Sequence, residues 1–403
     1  MTNSPFICPL PWIHLSTHPN GNVSICCKSN EPYIGLASQE NELLNLNTSS
    51  LLDIINCETF RTIRIQMLNQ QIPQACQNCF QEEQLNIESY RQRSLTQYPV
   101  SLEQLNRDTD HNGYITPALK YLELRISNKC NLKCITCNPG SSSLWAKELQ
   151  ANPSLELPHY SGLDTSPKQL FKWASQQTIL DSIEQACSYP LHIDINGGEP
   201  TIINEHITLL KNFIQEGNAP KISLTYNINL TTLPDSLLEL WKNFKDITIY
   251  SSIDAIEDQN EYIRFPSNWQ TTITTLEKLF HSKYKIIILQ TISIFNFTTL
   301  PQLSNFLQVN FPHIELNYNF VETPNYLSPY IIPSSLRKKV IKKLILQLPS
   351  HHCKIIYDKY FNEIYYSQGI TKFYQYIDSI DSIRNTNWKL TFPTLANLLD
   401  STS

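Results

Sequence analysis

The chain has 403 residues, 41% of them hydrophobic and 17% charged, with 16 Phe, 20 Tyr and 6 Trp, which indicates a folded protein of more than one domain. The formal net charge is -5 and Lys and Arg form no run, so the electrostatic footprint of a nucleic-acid-binding protein is missing. No apolar run has the length of a membrane span and the N-terminus lacks a secretion-signal pattern, so we expect a cytoplasmic protein with neither nucleic acid nor a membrane as partner.

The first predicted element is a cysteine-rich module over residues 1–116. Clustered thiols in a chain without a secretion signal favour metal or redox chemistry over a disulfide framework. Four of them are candidate ligands of one metal site: Cys8, Cys26, Cys76 and Cys79. The Asn20-Gly21 pair predicts a hairpin turn with Cys26 on the returning strand, although the adjacent Cys27 is an alternative ligand. Spacing alone does not distinguish zinc from an iron–sulfur cluster at this site.

Residues 117–325 show short strand patterns that alternate with helical patterns, as in repeated β–α units. The six strand patterns are KYLELRIS, LHIDIN, KISLTYNIN, DITIYSSIDA, IIILQTISI and IELNYNFV. Helices are predicted over residues 202–215, 236–244, 269–280 and 300–307. Apolar and polar residues alternate along the strands, so we expect an α/β protein whose parallel strands form a partial (β/α)6 barrel around a polar lumen. A mixed sheet with one solvated face is the alternative.

A loop with three closely spaced cysteines follows the first of these strands, in the stretch ISNKCNLKCITCNPG. Three thiolates, fewer than the four ligands of a structural zinc ion, can hold three corners of a [4Fe-4S] cluster and leave one iron open. The loop, with Cys130, Cys134 and Cys137, resembles the cluster-binding loop of the radical S-adenosylmethionine (radical SAM) enzymes. The resemblance implies that the open iron binds S-adenosylmethionine, which is cleaved reductively to a 5'-deoxyadenosyl radical that abstracts hydrogen from a substrate.

Later strand ends carry residues similar to further radical SAM motifs. INGGEPTII matches the family's Gly-Gly-Glu-Pro motif, YNINLTTLPD is similar to its Thr-Asn-Gly-Thr turn with Leu230 in place of the glycine, and YSSIDA resembles its Ser-Ile-Asp-Gly element. The resemblance, together with an arginine in EYIRFPSNW, assigns seven residues to S-adenosylmethionine binding: Gly197, Gly198, Glu199, Asn229, Ser252, Asp254 and Arg264. Polar residues at strand ends also cap loops, which is the structural alternative for each of them.

The N-terminal module resembles the SPASM and twitch domains of radical SAM enzymes, on the arrangement of Cys8, Gly21 and Cys26. These modules usually follow the barrel, whereas here the module precedes it. The resemblance implies a second, auxiliary [4Fe-4S] cluster held by the four N-terminal cysteines, with a zinc site as the alternative.

The remaining residues, 326–403, are predicted to be helical. The pattern SSLRKKVIKKLILQL predicts a helix capped by Ser334 or Ser335, and TLANLLD predicts a final helix.

The resemblance as a whole implies a radical SAM enzyme with a peptide or small-molecule substrate and an electron donor such as flavodoxin or ferredoxin. A ribosomally made peptide is the first hypothesis, and a sugar, a nucleotide or a cofactor precursor is the second. A non-catalytic iron–sulfur or zinc protein that acts as a sensor or scaffold is the third. The polar lumen offers five candidate substrate contacts: Glu123, Arg125, His192, Asp194 and Tyr250.

Overall fold

The computed structural model describes residues 5–29, 34–84, 88–155 and 173–401. The chain divides into two compact units. Unit 1 comprises Met1–Asn128, Lys168–Tyr226 and Asp235–Ile247, and unit 2 comprises Lys129–Pro167, Asn227–Pro234 and Thr248–Ser403. The three-domain division expected from the sequence, with boundaries after residues 116 and 325, stays a prediction. Each of the two units combines three separate segments of the chain, so their bounds do not test these boundaries.

The strands of the described residues are β1 (His14–Thr17), β2 (Val23–Ser24), β3 (Ser38–Gln39), β4 (Glu42–Leu43), β5 (Leu119–Arg125), β6 (Cys187–Asn196), β7 (Ile222–Ile228), β8 (Asp246–Ser252), β9 (Lys285–Ile292) and β10 (Glu315–Phe320). The α-helices are α1 (Leu10–Ile13), α2 (Leu51–Ile55), α3 (Glu58–Leu68), α4 (Gln77–Gln84), α5 (Tyr90–Gln97), α6 (Leu102–Arg107), α7 (Ser143–Ala151), α8 (Gln177–Ala186), α9 (Asn204–Gln215), α10 (Asp235–Trp241), α11 (Glu257–Ile263), α12 (Trp269–Phe280), α13 (Leu300–Asn310), α14 (Ser334–Leu344), α15 (Ser350–Tyr360), α16 (Gly369–Arg384), α17 (Trp388–Thr391) and α18 (Pro393–Asp400).

Unit 1 is built on a mostly parallel sheet. Strand β1 pairs in parallel with β5, β5 with β6, and β6 with β7, while the short β2 pairs antiparallel with β1. Along β6 the apolar Leu191, Ile193 and Ile195 are buried, and the intervening His192 and Asp194 are half-buried. This alternation is the one that the sequence predicts, with one face of the strand in the core and the other lined by polar groups.

The predicted hairpin in unit 1 forms, but it ends earlier than expected. The amide of Gly21 bonds to the carbonyl of His18, which closes the turn between β1 and β2. The prediction that Cys26 lies on the returning strand is wrong, because β2 ends at Ser24 and the chain then leaves the ladder.

Unit 2 contains the parallel strands β8, β9 and β10. Its helices cover an apolar core in which the ring of Phe295 packs against Phe373 and Phe392, with centroids 5.5 Å and 5.3 Å away. On β10 the polar residues are exposed rather than half-buried: Glu315, Asn317 and Asn319. In the described part of unit 2, β10 is an edge strand that pairs with β9.

Sequence patterns locate the elements well, and the α/β class with parallel strands, an N-terminal cysteine-rich module and a helical C-terminal region is confirmed. The helix over Trp269–Phe280 has its predicted bounds because Asn268 caps it and its apolar side is buried. The predicted serine cap of α14 is wrong, since Ser334 already lies within the helix and the preceding position is Pro333.

Candidate active site

The cysteine loop of unit 2 is held by hydrogen bonds to two neighbouring segments. The amides of Lys133 and Ile135 bond to the carbonyls of Phe265 and Ile263, at 2.7 Å and 2.8 Å. The indole of Trp145, on α7, donates a 2.7 Å hydrogen bond to the carbonyl of Cys134. Because backbone groups on both sides of Cys134 are bonded, the loop has a fixed path between its cysteines.

The thiols of this loop are shielded from water. Cys134 is buried, and Cys130 and Cys137 are half-buried. Burial raises the pKa of Cys137 to about 12, with a further contribution from the nearby Cys134 and Cys130, and burial also raises the pKa of Cys134. Unliganded, these groups are protonated thiols near neutral pH, so a metal cluster that binds them must displace protons.

A half-buried arginine supplies positive charge to the loop. Arg264 donates a 2.9 Å hydrogen bond to Asp254, whose side chain is fully buried, and the other oxygen of Asp254 accepts the amide of Thr291. Burial alone would lower the pKa of Arg264, but it is raised instead by the nearby Cys134 and Asp254, so the guanidinium stays charged. Its Nε is buried and has no hydrogen-bond partner among the described residues.

The turn after β7 contacts the cysteine loop directly. Asn229 donates a 2.9 Å hydrogen bond to the side chain of Asn131, which in turn donates a 2.7 Å hydrogen bond to Thr231. Leu230, at the position where relatives carry glycine, has φ 61° and is fully buried. The leucine therefore adopts the left-handed backbone that favours glycine.

Ser252, the remaining predicted residue of unit 2, is half-buried at the end of β8.

The Gly-Gly-Glu-Pro segment lies in unit 1, after β6. Gly197 and Gly198 have φ 80° and 56°, and a Cβ on Gly197 would lie 3.0 Å from the Cβ of Arg125. Glu199 is buried, and its Oε1 accepts hydrogen bonds from the amide and hydroxyl of Thr201 at 3.0 Å and 2.7 Å. The glycines are thus required by the backbone, and one oxygen of Glu199 caps the following 3-10 turn.

The four predicted N-terminal ligands line one small cavity of unit 1 that is partly open to solvent: Cys8, Cys26, Cys76 and Cys79. Cys27 is not among the residues that line it, which favours Cys26 as the ligand. Burial raises the pKa of Cys76 to about 12, and the pKa values of Cys8 and Cys79 are raised by burial as well. Within the described ranges, no group of three or more His, Cys, Asp or Glu side chains is arranged to hold a single metal ion.

Two family models match the chain. Residues 8–80 match SPASM, an iron-sulfur cluster-binding domain, and residues 124–304 match the Radical SAM superfamily. The chain carries a radical SAM domain. The SPASM domain precedes it, in the order expected from the sequence. A radical SAM domain works with a [4Fe-4S] cluster and S-adenosylmethionine, and a SPASM domain binds further iron–sulfur clusters. The cofactors of the chain are therefore iron–sulfur clusters and S-adenosylmethionine.

Solved structures similar to this chain include radical SAM enzymes. Native anSMEcpe with bound AdoMet is 17% identical, with a TM-score of 0.40 over 56% of this chain and 58% of that one. Streptococcus suis SuiB bound to S-adenosylmethionine is 15% identical, with a TM-score of 0.37 over 76% of this chain and 67% of that one. The chain thus spans less than two thirds of anSMEcpe. No curated protein matches it at a significant level.

The residues around both cysteine groups fit iron–sulfur clusters, and several were not found from the sequence. In unit 1, Arg91 lines the cavity of the four cysteines, where its charge favours thiolates. In the radical SAM domain, Asn131 and Trp145 hold the cysteine loop, and the charge of Arg264 acts on Cys134 and Cys130. Asn131 and Trp145 stand in or just after the cysteine motif, but no local pattern distinguishes them from other polar and aromatic residues.

The described residues include no helix long and apolar enough to cross a membrane.

Proposed function

We propose that this chain is a radical SAM enzyme that uses Cys130, Cys134 and Cys137 to hold a [4Fe-4S] cluster, cleaves S-adenosylmethionine and abstracts hydrogen from a substrate. The observation that carries the proposal is a hydrogen-bonded loop with one buried and two half-buried thiols, beside a half-buried arginine that stays charged. When bound, the cluster supplies the electron that cleaves the sulfonium and releases the 5'-deoxyadenosyl radical.

The chain's own residues would bind and orient S-adenosylmethionine. The guanidinium of Arg264 is fixed by Asp254, and its free Nε–H suits a carboxylate such as that of the methionine part. Gly197 and Gly198 leave backbone atoms uncovered where an ammonium group can approach. Ser252 remains a candidate for a ribose hydroxyl. For Asn229 the contacts support an indirect role, since its amide bonds to Asn131 next to Cys130.

We propose that Cys8, Cys26, Cys76 and Cys79 hold one auxiliary [4Fe-4S] cluster rather than zinc. Their shared cavity supports a single site with four protein ligands, and the match of residues 8–80 to an iron-sulfur cluster-binding domain favours iron over zinc. A cluster with four thiolate ligands has no open iron, so its part in the reaction is electron transfer rather than S-adenosylmethionine binding.

A ribosomally made peptide is the substrate that we propose, on the resemblance of the N-terminal module to those of peptide-modifying enzymes; a sugar, a nucleotide or a cofactor precursor is the alternative. We place the reaction in the cytoplasm, with an electron donor such as flavodoxin or ferredoxin. A peptide pool, a nucleotide pool and a sugar pool, added separately, would test the substrate class by which of them stimulates formation of 5'-deoxyadenosine.

The test of the reaction is anaerobic reconstitution with iron and sulfide, reduction with dithionite in the presence of S-adenosylmethionine, and chromatography for 5'-deoxyadenosine. We expect about eight irons per chain in the wild type and about four in the triple variant Cys130→Ala/Cys134→Ala/Cys137→Ala, which should form no 5'-deoxyadenosine. Cys187→Ala, which removes a thiol outside both cysteine groups, is the matched control and should behave as the wild type.

Iron bound without cleavage of S-adenosylmethionine, even with cell extract as a source of substrate, would favour an iron–sulfur sensor or scaffold. Zinc in place of iron in the anaerobically purified protein would exclude the auxiliary cluster.

A further inference from the structure

Unit 1 contains a chain of hydrogen-bonded side chains that begins at the cavity of the four cysteines. The ring of Tyr90, on α5, lines the cavity, and its hydroxyl lies 3.0 Å from the hydroxyl of Tyr121, on β5. Tyr121 donates a 2.6 Å hydrogen bond to Oδ2 of Asp194, on β6, and Oδ1 of Asp194 lies 2.7 Å from Nε2 of His192. We call Tyr90, Tyr121, Asp194 and His192 the tyrosine–aspartate chain.

The strand register and ring packing hold this chain in place. Tyr121 lies opposite His192 in the β5–β6 pairing, with their ring centroids 5.3 Å apart. His14, on β1, stacks on Tyr121 at 4.3 Å, and Thr225, on β7, lies 3.1 Å from Nε2 of His192. The members come from one helix and two neighbouring strands, so they are held by the fold rather than by a flexible loop.

The two ends of the chain differ in their surroundings. Tyr121, in the middle, is 7% exposed, whereas the side chains of Asp194 and His192 are 20% and 27% exposed. One end therefore meets the cysteine cavity and the other meets solvent or a bound molecule. The other titratable groups that face Asp194 are Tyr98 at the end of α5, His14 on β1, and Glu123 with its partner Arg125 on β5.

These side chains suit the transfer of a proton. Burial raises the pKa values of both Tyr90 and Tyr121, so each phenol stays protonated and can relay a proton without holding a negative charge. The carboxylate of Asp194 and the imidazole of His192 are the types of group that exchange protons in general acid–base chemistry, and they stand at the accessible end.

We propose that the Asp194–His192 pair takes up a proton when the auxiliary site accepts an electron, and that Tyr121 and Tyr90 couple the two events. The inference rests on the proposed function, in which the four cysteines hold a [4Fe-4S] cluster. In the substrate-free protein the electron comes from the added reductant and the proton comes from solvent at the exposed end of the tyrosine–aspartate chain, so the auxiliary site gains one electron and the pair gains one proton.

The test measures the midpoint potential of the auxiliary cluster and needs no substrate. It uses the full chain with Cys130→Ala/Cys134→Ala/Cys137→Ala, so that the auxiliary cluster is the one cluster present, in an EPR-monitored redox titration at pH 6 and pH 8. We expect the potential to fall with rising pH by up to about 59 mV per pH unit, the value for one proton per electron. Asp194→Asn should reduce this slope by about threefold or more.

Tyr121→Phe is the second variant, because it keeps the ring in the sheet and removes only the hydroxyl that joins Tyr90 to Asp194. We expect it to reduce the slope by about twofold. Tyr98→Phe is the matched control, since the ring of Tyr98 stacks on Tyr121 at 6.2 Å but its hydroxyl lies outside the tyrosine–aspartate chain, and its slope should equal that of the parent.

A midpoint potential that does not depend on pH in the parent protein would overturn the inference, but it would not contradict the proposal that the four cysteines hold an auxiliary cluster. A slope that persists in both Asp194→Asn and Tyr121→Phe would overturn it as well. A parent protein that holds no iron would instead remove the auxiliary cluster from the proposed function, and the inference would fall with it.

Discussion

Arg384 and Glu148 form a buried ion pair between residues 236 positions apart. The guanidinium donates hydrogen bonds of 3.2 Å and 2.7 Å to Oε2 of Glu148, and both side chains are at most 2% exposed. Glu148 also accepts a hydrogen bond from Lys133, which lies between Cys130 and Cys134. Burial alone would raise the pKa of Glu148, but Arg384 and Lys133 hold it below its usual value. The ion pair thus joins α16 to the cysteine loop.

Replacing Arg384 should weaken both the fold and the cluster site. Arg384→Gln leaves the carboxylate of Glu148 buried and paired with Lys133, so the cost should lie below the about 3–5 kcal/mol of a buried charge without a partner. We expect a lower midpoint of thermal unfolding and loss of iron from the cysteine loop. Lys389→Gln, which removes a cation from an exposed pair with Asp400, should change the stability by less than about 1 kcal/mol. Equal losses of iron in the two variants would contradict a specific role for Arg384.

Gly197 and Gly217 provide a matched pair for testing the Gly-Gly-Glu-Pro segment. Both have positive φ, at 80° and 71°, so alanine at either should cost about 1–2 kcal/mol in backbone strain. A Cβ on Gly197 would also crowd Arg125 and the carbonyl of Ser127, whereas a Cβ on Gly217 would meet nothing within 4 Å. Gly197→Ala should therefore weaken binding of S-adenosylmethionine, measured by equilibrium dialysis on the reconstituted protein, and Gly217→Ala should not. Unchanged binding in Gly197→Ala would count against this role.

Asn131 should determine how firmly the cysteine loop holds its cluster. Asn131→Ala removes the hydrogen bonds to Asn229 and Thr231, each worth about 1 kcal/mol, from the residue that follows Cys130. We expect iron to be lost several-fold faster to a chelator, while the auxiliary cluster is retained. Asn243→Ala, at an exposed position after α10, serves as the control. The same rate of loss in both variants would show that the turn does not stabilise the loop.

His206 should make the fold sensitive to acid. Its ring is fully buried, Nδ1 lies 2.6 Å from the carbonyl of Ile203, and burial lowers its pKa to about 4. In the unfolded chain the group titrates near its usual value of about 6.5, so its contribution is fully present above that pH and is lost as the pH falls towards 4. His206→Gln should make the unfolding free energy less dependent on pH by up to roughly 3 kcal/mol over this window.

The exposed His313 is the matched control for that comparison. His313→Gln should leave the pH dependence of urea unfolding unchanged, and a wild-type slope retained in His206→Gln would assign the acid sensitivity to other groups.

The features that can be predicted from the sequence are those determined by residues close together in the chain. Strand alternation locates β5 to β10, and short motifs locate the glycines of residues 197 and 198 and the three cysteines of the radical SAM domain. The sequence also groups the four N-terminal cysteines as one set of ligands. They line one cavity, although their positions span Cys8 to Cys79.

Contacts between distant segments are what the sequence does not predict. Nothing in α16 marks Arg384 as the partner of Glu148, or marks Tyr376 as the donor to the carbonyl of Ile135, because each depends on packing across more than two hundred residues. The left-handed backbone of Leu230, with φ 61°, is likewise not marked by its residue type, because a leucine rarely adopts it.

The bonds from α16 to the cysteine loop have a consequence for biosynthesis. Tyr376 and Arg384 leave the ribosome more than two hundred residues after Cys130, Cys134 and Cys137. At roughly 5–20 residues per second, this is an interval of roughly 10–50 s in which the loop lacks its contacts with α16. The full set of contacts of this loop is available only after synthesis of α16, whereas the four cysteines of the N-terminal module all precede the loop in the chain.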